Sequence, residues 1–199
     1  MHNQSASVLL PFRAKPRPAA EVPAIRPASL KDASAIAELV SSFVADGLML
    51  PRTREQILEN IDSYVVAARR GGSVVACAAL EEFSPSLAEV ACVAVARSEH
   101  GNGLGSLVVL GVEQLARARE IEELFAMSLS DRFFLSLGYN VASISRYPEK
   151  LARYEKLMAD GVSVVPKRCF QKMLKNAPVV LPDTLPASPA TPVRKLKLG

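Results

Sequence analysis

From residue 24 onward, apolar positions recur with two alternating periods. After a short extended segment at 24–26, Ser29 and Asp32 three residues later open a run in which Leu30, Ala33, Ile36, Ala37, Val40, Phe43 and Val44 share one helical face, closed by Gly47. Thr53 with Gln56 marks a second helix start, carried through Ile57 and Ile61. Two β-rich runs, 63–69 and 73–80, are joined by Arg70, Gly71 and Gly72, a hairpin signal. The next run, 87–95, is apolar on both faces apart from Glu89, the pattern of a central strand covered on both sides. A loop at 96–103 then leads into a helix. Its periodicity turns Leu107, Val108, Leu110, Gly111, Leu115, Ala116 and Ala118 inward and Glu113, Gln114, Arg117 and Arg119 toward water. A strand at 123–128, a short helix at 131–137 stopped by Gly138, a strand at 139–145, a helix opened by Pro148 and ended by Gly161, and a last strand within 162–174 complete the pattern. The order β-α-α-β-β-β-α-β-α-β-α-β predicts an α/β (α+β) fold, a mixed central sheet of about six to seven strands flanked by helices.

Composition adds the tails. The chain has 199 residues, enough for one domain, with 49% hydrophobic, 22% charged and 6% aromatic residues. Five of the 14 prolines fall in 1–27 and five in 178–192, so extended, flexible tails are expected at 1–23 and 176–199 around a folded unit of 24–175. The net charge of +4 suggests an anionic partner until it is located. Arg13, Lys15 and Arg17 against Glu21, and Lys175, Arg194, Lys195 and Lys197 against Asp183, place the whole excess in the ends and leave 24–174 slightly acidic. Nucleic acid is therefore not expected as a partner of the folded unit.

The three cysteines lack C-x-x-C spacing and the two histidines, His2 and His100, do not cluster with them. This argues against a disulfide framework and a structural metal and fits a reducing compartment. The longest apolar runs, 74–80 and 90–96, are too short to span a bilayer, so no membrane partner is expected. A cytoplasmic location is expected. Import into an organelle through the N-terminal tail, which has no acidic residue before Glu21, is the lesser alternative.

The stretch from Val93 to Ser106 carries the first chemistry. A strand runs into a glycine-rich turn, His100-Gly101-Asn102-Gly103-Leu104-Gly105-Ser106, at the start of a helix. Several backbone N–H groups and the positive end of the helix dipole then converge on one spot, which suits a phosphate. The spacing is neither the dinucleotide G-x-G-x-x-G nor a Walker loop, and a plain turn is the other reading.

In this context the chain resembles the GNAT superfamily of N-acetyltransferases, whose Q/R-x-x-G-x-G/A signature follows a central strand and whose later F-Y-x-x-x-G-F is matched by Phe133, Phe134, Gly138 and Tyr139. The resemblance covers 24–174. It implies that acetyl-CoA is the co-substrate. Its pyrophosphate would lie on the amides of Gly101, Asn102, Gly103, Leu104, Gly105 and Ser106, and its pantetheine arm would pair with the backbone of Cys92, Val93 and Val95. His100 stands where the family has Gln or Arg; a solvated loop residue is its other reading. Within the superfamily the strings 47–56, 60–64, 76–80 and 89–95 resemble the acetyltransferase domain of N-acetylglutamate synthases. These make N-acetylglutamate from acetyl-CoA and glutamate at the start of arginine synthesis. The resemblance also allows a homodimer.

Amine acetylation needs a group to take a proton from the ammonium, a fixed N–H for the oxyanion and a proton for the departing thiolate. Glu89, alone among carboxylates in its strand, is the candidate base and occupies the base position of the resembling family; a strand-end glutamate reaching solvent or an arginine is the other reading. Ser128 matches the position of the family's acid, while Phe134 stands where most of the superfamily has a tyrosine. Arg52 matches an arginine that pairs with the substrate's side-chain carboxylate, a role suited to the guanidinium fork. The Cys92 amide would bind the α-carboxylate. Its thiol is a small core hydrophobe or, less in keeping with its neighbours, an acyl-carrying nucleophile. Arg168 is the candidate second arginine in the last strand. The expected function is acetylation of the α-amino group of L-glutamate. Another amino acid, small amine or protein amine as acceptor, or a non-catalytic acyl-CoA-binding module, are the alternatives.

Overall fold

The computed structural model describes residues 22–162 and 164–174. The tails expected at 1–23 and 176–199 lie outside this range apart from residues 22 and 23. The elements are β1 (Ala24–Pro27), α1 (Ala33–Val44), α2 (Arg54–Glu59), β2 (Tyr64–Ala68), β3 (Val74–Ser84), β4 (Leu87–Val95), α3 (Leu104–Ala118), β5 (Glu123–Ser128), α4 (Asp131–Ser136), β6 (Asn140–Ala142), α5 (Pro148–Ala159) and β7 (Arg168–Met173). The order is the one predicted from periodicity. The strands form one mixed sheet ordered β1-β2-β3-β4-β5-β7-β6, in which β4 and β5 are parallel and every other neighbouring pair antiparallel.

Alternation along the inner strands builds two cores. On β2, Val65 and Ala67 pack with Val108, Val109 and Val112 of α3, while Tyr64, Val66 and Ala68 pack with Ile36, Val40 and Phe43 of α1 and Ile57 of α2. α3 approaches the sheet closely because Gly111 has no side chain: a Cβ there would meet Val65 Cγ1 at 2.7 Å. The first turn before α1 is held by Asp32, which accepts from both guanidinium arms of Arg26 at 2.7 and 2.8 Å and from the Ser29 N–H at 2.7 Å. At α2 the Thr53 N–H donates to Gln56 Oε1 at 3.0 Å and the Gln56 N–H to Thr53 Oγ1 at 3.2 Å, the reciprocal cap its spacing predicts.

β4 breaks the alternation once. Ala79 pairs with Ala91 and Cys77 with Ala94, so Ala78 faces two residues, Cys92 and Val93. This β-bulge sets Cys92 at φ 51°. Before it, Ala88 and Val90 belong to the α3 side; after it, Ala94 and the half-buried Cys92 belong to the α1 side, and Val93 and Val95 pack toward α3. β4 and β5 are paired only from Leu87–Glu123 to Glu89–Phe125 and then part. The sheet is thus split at its centre, with Glu89 at the fork.

Four expectations change. The buried face of α3 is Leu104, Val108, Val109, Val112, Glu113 and Ala116, whereas Leu107 and Leu110 are 41% and 42% exposed. Glu113, expected in water, is buried because Lys172 of β7 reaches it at 2.7 Å and balances its charge. The last strand begins only at Arg168: residues 164–167 are irregular and Val162, Val164 and Val165 line a cavity instead of pairing. The sixth strand is three residues long and gives way to a 3-10 turn at Ile144–Arg146, held by the Tyr147 N–H to Ile144 O bond at 2.9 Å.

Candidate active site

The parted strands open onto a cavity of about 520 Å³, lined by Glu89 and Cys92 of β4, Ser128 at the end of β5, Arg52 ahead of α2, Lys150 and Tyr154 of α5, and Lys167 ahead of β7. The two acidic groups here are each held by cations. Glu89 is 4% exposed and accepts from Lys150 Nζ at 2.6 Å, with Lys150 itself 5% exposed. Burial pushes the Glu89 carboxyl above the usual carboxylate range, while the Lys150 ammonium pulls against it. Glu81 of β3 accepts from Arg52 at 3.1 Å and also pairs with Arg153 of α5. Burial opposes its charge, and Arg153 and then Arg52 more than offset this, leaving the Glu81 carboxyl below its ordinary range.

Lys167 donates to the Leu48 carbonyl at 2.9 Å, and burial lowers its pKa. Arg52, Lys150, Arg153 and Lys167 against Glu81 and Glu89 leave two positive charges in excess in and behind this cavity.

Ser128 Oγ accepts from the Ser130 N–H at 3.0 Å at the cavity rim. Phe134 also lines the cavity and stacks on Phe170 with centroids 5.6 Å apart. No hydroxyl is available at that position; the one on Tyr154 comes from α5 instead. Burial holds the Tyr154 phenol protonated well above its usual range. Cys92 faces the cavity, and the buried Cys77 thiol donates to the Cys92 carbonyl at 3.6 Å. Arg168 is elsewhere. Its side chain is 60% exposed, pairs with Asp131, and lines a neighbouring depression with Ser128 and Lys167, so at the cavity holding Glu89 it is Lys167 that stands where a second cation was sought.

At the other end of β4 the chain passes through a 3-10 turn at Arg97–Glu99, pinned by Glu99 to Arg69 and to Asn102 Nδ2, the latter at 3.1 Å, and enters α3 through two glycines. Gly101 and Gly103 have φ of 83° and 75°, where a side chain is strained, although a Cβ at either would meet nothing within 4 Å. The surface above them is open, and the N–H groups of the first turn of α3 (Leu104, Gly105 and Ser106) have no helical carbonyl to bind. Gly105 is favoured for a different reason: its Cβ would press on the Phe133 ring at 3.3 Å and on Val95 at 3.4 Å. The His100 ring turns back, Nε2 lying 2.9 Å from the Val95 carbonyl. An open cradle of backbone donors at a 15-residue helix fits a diphosphate.

Residues 35–139, which contain the split strand, the cradle and Ser128, match the Acetyltransferase (GNAT) family. The chain belongs to that family. It is 33% identical over 136 residues to the "Uncharacterized N-acetyltransferase CT2212" of Chlorobaculum tepidum, covering 68% of this chain and 86% of that one. It is 31% identical over 128 residues to the amino-acid acetyltransferase of Pasteurella multocida, spanning 63% of this chain but only 29% of that longer protein. The N-acetylglutamate synthase of Neisseria gonorrhoeae, solved with coenzyme A and N-acetyl-glutamate, superposes with a TM-score of 0.66 at 27% identity over 76% of this chain and 35% of that one. Rv2747 of Mycobacterium tuberculosis, solved with CoA and NLQ, shares the fold with a TM-score of 0.66 at 24% identity over 76% of this chain and 99% of that one.

This GNAT acetyltransferase is an N-acetyltransferase that uses acetyl-CoA as acyl donor. Among its described residues no helix is long and apolar enough to cross a membrane. Sequence reasoning assembled Glu89, Cys92, Ser128 and Arg52 around one cavity. It missed Glu81, Lys150, Arg153 and Tyr154. The signal available for the last three was the i, i+3, i+4 spacing of Lys150, Arg153 and Tyr154, which sets them on one face of α5.

Proposed function

We propose that this protein transfers the acetyl group of acetyl-CoA to the α-amino group of an acidic amino acid, L-glutamate first among them. The observation that carries the reading is the charge of the cavity beside Glu89. Two positive charges remain after Glu81 and Glu89 are counted, one for each carboxylate of the acceptor, and Glu89 is left to face its ammonium. Acetyl-CoA supplies the thioester. Glu89 takes the proton from the acceptor ammonium, directly or through a water, so that the nitrogen lone pair is free. Arg52 and Lys167 are assigned to the carboxylates and the Cys92 amide to the α-carboxylate. The Ser128 hydroxyl is assigned to proton donation toward the leaving sulfur. The amides from Gly101 to Ser106, with Val93 and Val95, are assigned to the coenzyme. Synthesis of N-acetylglutamate for arginine formation is the pathway role that this acceptor would serve.

One observation favours a second acceptor class. Arg52 is already engaged by Glu81 at 3.1 Å, which leaves less charge for a side-chain carboxylate and suits an amino acid with only its α-carboxylate. Thiol release from acetyl-CoA across a panel of amino acids and small amines separates the two. Release with L-glutamate exceeding that with neutral amino acids by at least about tenfold in kcat/KM, the equivalent of one charge-assisted contact, is expected. Release with neutral amino acids but not with glutamate at millimolar concentration overturns the glutamate assignment.

A further inference from the structure

We propose that Lys150 is a positioning residue of the acetyl transfer: through its ion pair it keeps the buried Glu89 ionised and fixed in orientation, ready to accept the acceptor's proton. This deepens the reading in which Glu89 is the base and rests on it. The geometry is specific. Lys150 Nζ lies 2.6 Å from Glu89 Oε2, both side chains are almost fully buried, and the pair joins α5 to the strand at the fork of the sheet. The Lys150 ammonium also lies over the Tyr154 ring, 5.0 Å from its centroid. A surface ion pair contributes little, but a buried carboxylate with no cation beside it would take up a proton instead of staying charged.

The other charged and titratable groups near the pair do not replace Lys150. Glu81 of β3 acts in the wrong direction. Arg153 of α5 is committed to Glu81, Lys167 ahead of β7 donates to a carbonyl, and Tyr154 of α5 and Cys169 of β7 are neutral, their pKa values raised by burial. Arg52 is held by the same Glu81.

The proton balance defines the consequence. When Glu89 takes the acceptor's proton it becomes neutral, Lys150 stays an ammonium, and the positive charge that arrived on the acceptor remains in the pair. Lys150 therefore makes Glu89 available at lower pH and at the same time makes it a weaker base. Its removal should cost activity at acid pH and return it at alkaline pH, a pattern that loss of folding or of packing does not produce.

The experiment is kcat/KM for the best acceptor of the panel, measured across the acid limb and the alkaline plateau, in the wild type and in Lys150→Met, Lys150→Gln and Lys150→Arg. Lys150→Met and Lys150→Gln should lose at least about tenfold below the wild-type limb, the ratio that one pH unit of displacement represents, and recover to within about threefold of wild type on the plateau. Lys150→Arg should keep the wild-type limb. A limb that stays in place in Lys150→Gln, or a drop equal at every pH, overturns the proposal; Lys150→Gln supplies the answer if Lys150→Met does not fold. Glu89→Gln separates the two layers. If it abolishes turnover while the Lys150 variants keep the limb, only the role of Lys150 fails; if it leaves turnover and its pH profile intact, the reading of Glu89 as base fails and the proposal with it.

Discussion

Gly111→Ala sets two opposed effects of known size against each other. In an exposed helix the change would stabilise by about 1 kcal/mol, because alanine loses less backbone freedom than glycine. Here the new Cβ would lie 2.7 Å from Val65 Cγ1 and 3.5 Å from Ile25 Cγ2, against ordinary contacts of roughly 3.5–4 Å. Val65 cannot give way easily. It is 3% exposed, β-branched and therefore stiff at χ1, and it sits on a strand paired on both sides. Relief must come from moving α3 outward, and forcing a methyl into such a site costs about 1–3 kcal/mol. The net expectation is a loss of up to about 2 kcal/mol, lowering Tm by roughly 2–4 °C per kcal/mol for a domain of this size.

The same displacement carries the glycine entry of α3 with it, so KM for acetyl-CoA should rise while KM for the acceptor holds. Thermal melts of Gly111→Ala, Val65→Ala and the double variant complete the cycle. In the Val65→Ala background Gly111→Ala should turn stabilising, by up to about 1 kcal/mol. A Tm that rises in the Val65 background, or an effect equal in both, refutes the argument from close approach.

Three further outcomes follow from the same geometry. Gly103→Ala, at φ 75°, should cost about 1–2 kcal/mol in strain and raise KM for acetyl-CoA several-fold without altering the acceptor's, as initial-rate kinetics would show. Arg52→Gln should raise KM for the acceptor about tenfold or more, the value of a hydrogen bond to a charged group, and leave KM for acetyl-CoA within about twofold. Asp32→Asn should lower Tm at pH 7. The Arg26 guanidinium and the Ser29 donors, despite some opposition from burial, hold the Asp32 carboxyl well below its ordinary range. Its contribution is therefore present above the unfolded-state value and is lost as the pH falls through and below it. The Tm difference between variant and wild type should shrink in melts from pH 5 down to pH 2.5.

Element order was legible because each helix and strand here buries a face of its own period, and the caps at Ser29 and Thr53 name their partners locally. Side-chain pairing across the fold was not. Glu113 carries the periodicity of a solvent residue, and only the arrival of Lys172, 59 positions away, makes its burial tolerable. Likewise Glu89 stood out as a lone acid in an apolar strand, but Lys150 lies 61 positions further on, in a helix that looks from its charges like a solvated one. Arg168 was sought for its place in the last strand. The irregular 164–167 segment brings Lys167 to the cavity, and no local signal distinguishes the two neighbours.

The bulge at Cys92 bears on how this enzyme can change. Strands usually accept a new side chain or, at their ends, a new residue. β4 has already used its one irregularity in the middle, so its length is fixed between two packed layers. Deleting one residue there would straighten the strand: Val93 and Val95 would still face α3 and Ala94 α1, but the turned backbone that brings Cys92 to the cavity would be lost. Acceptor preference in this chain can therefore drift by substitution at Arg52, Glu81, Lys167 or α5, whereas insertions and deletions are confined to the loops that frame the cavity.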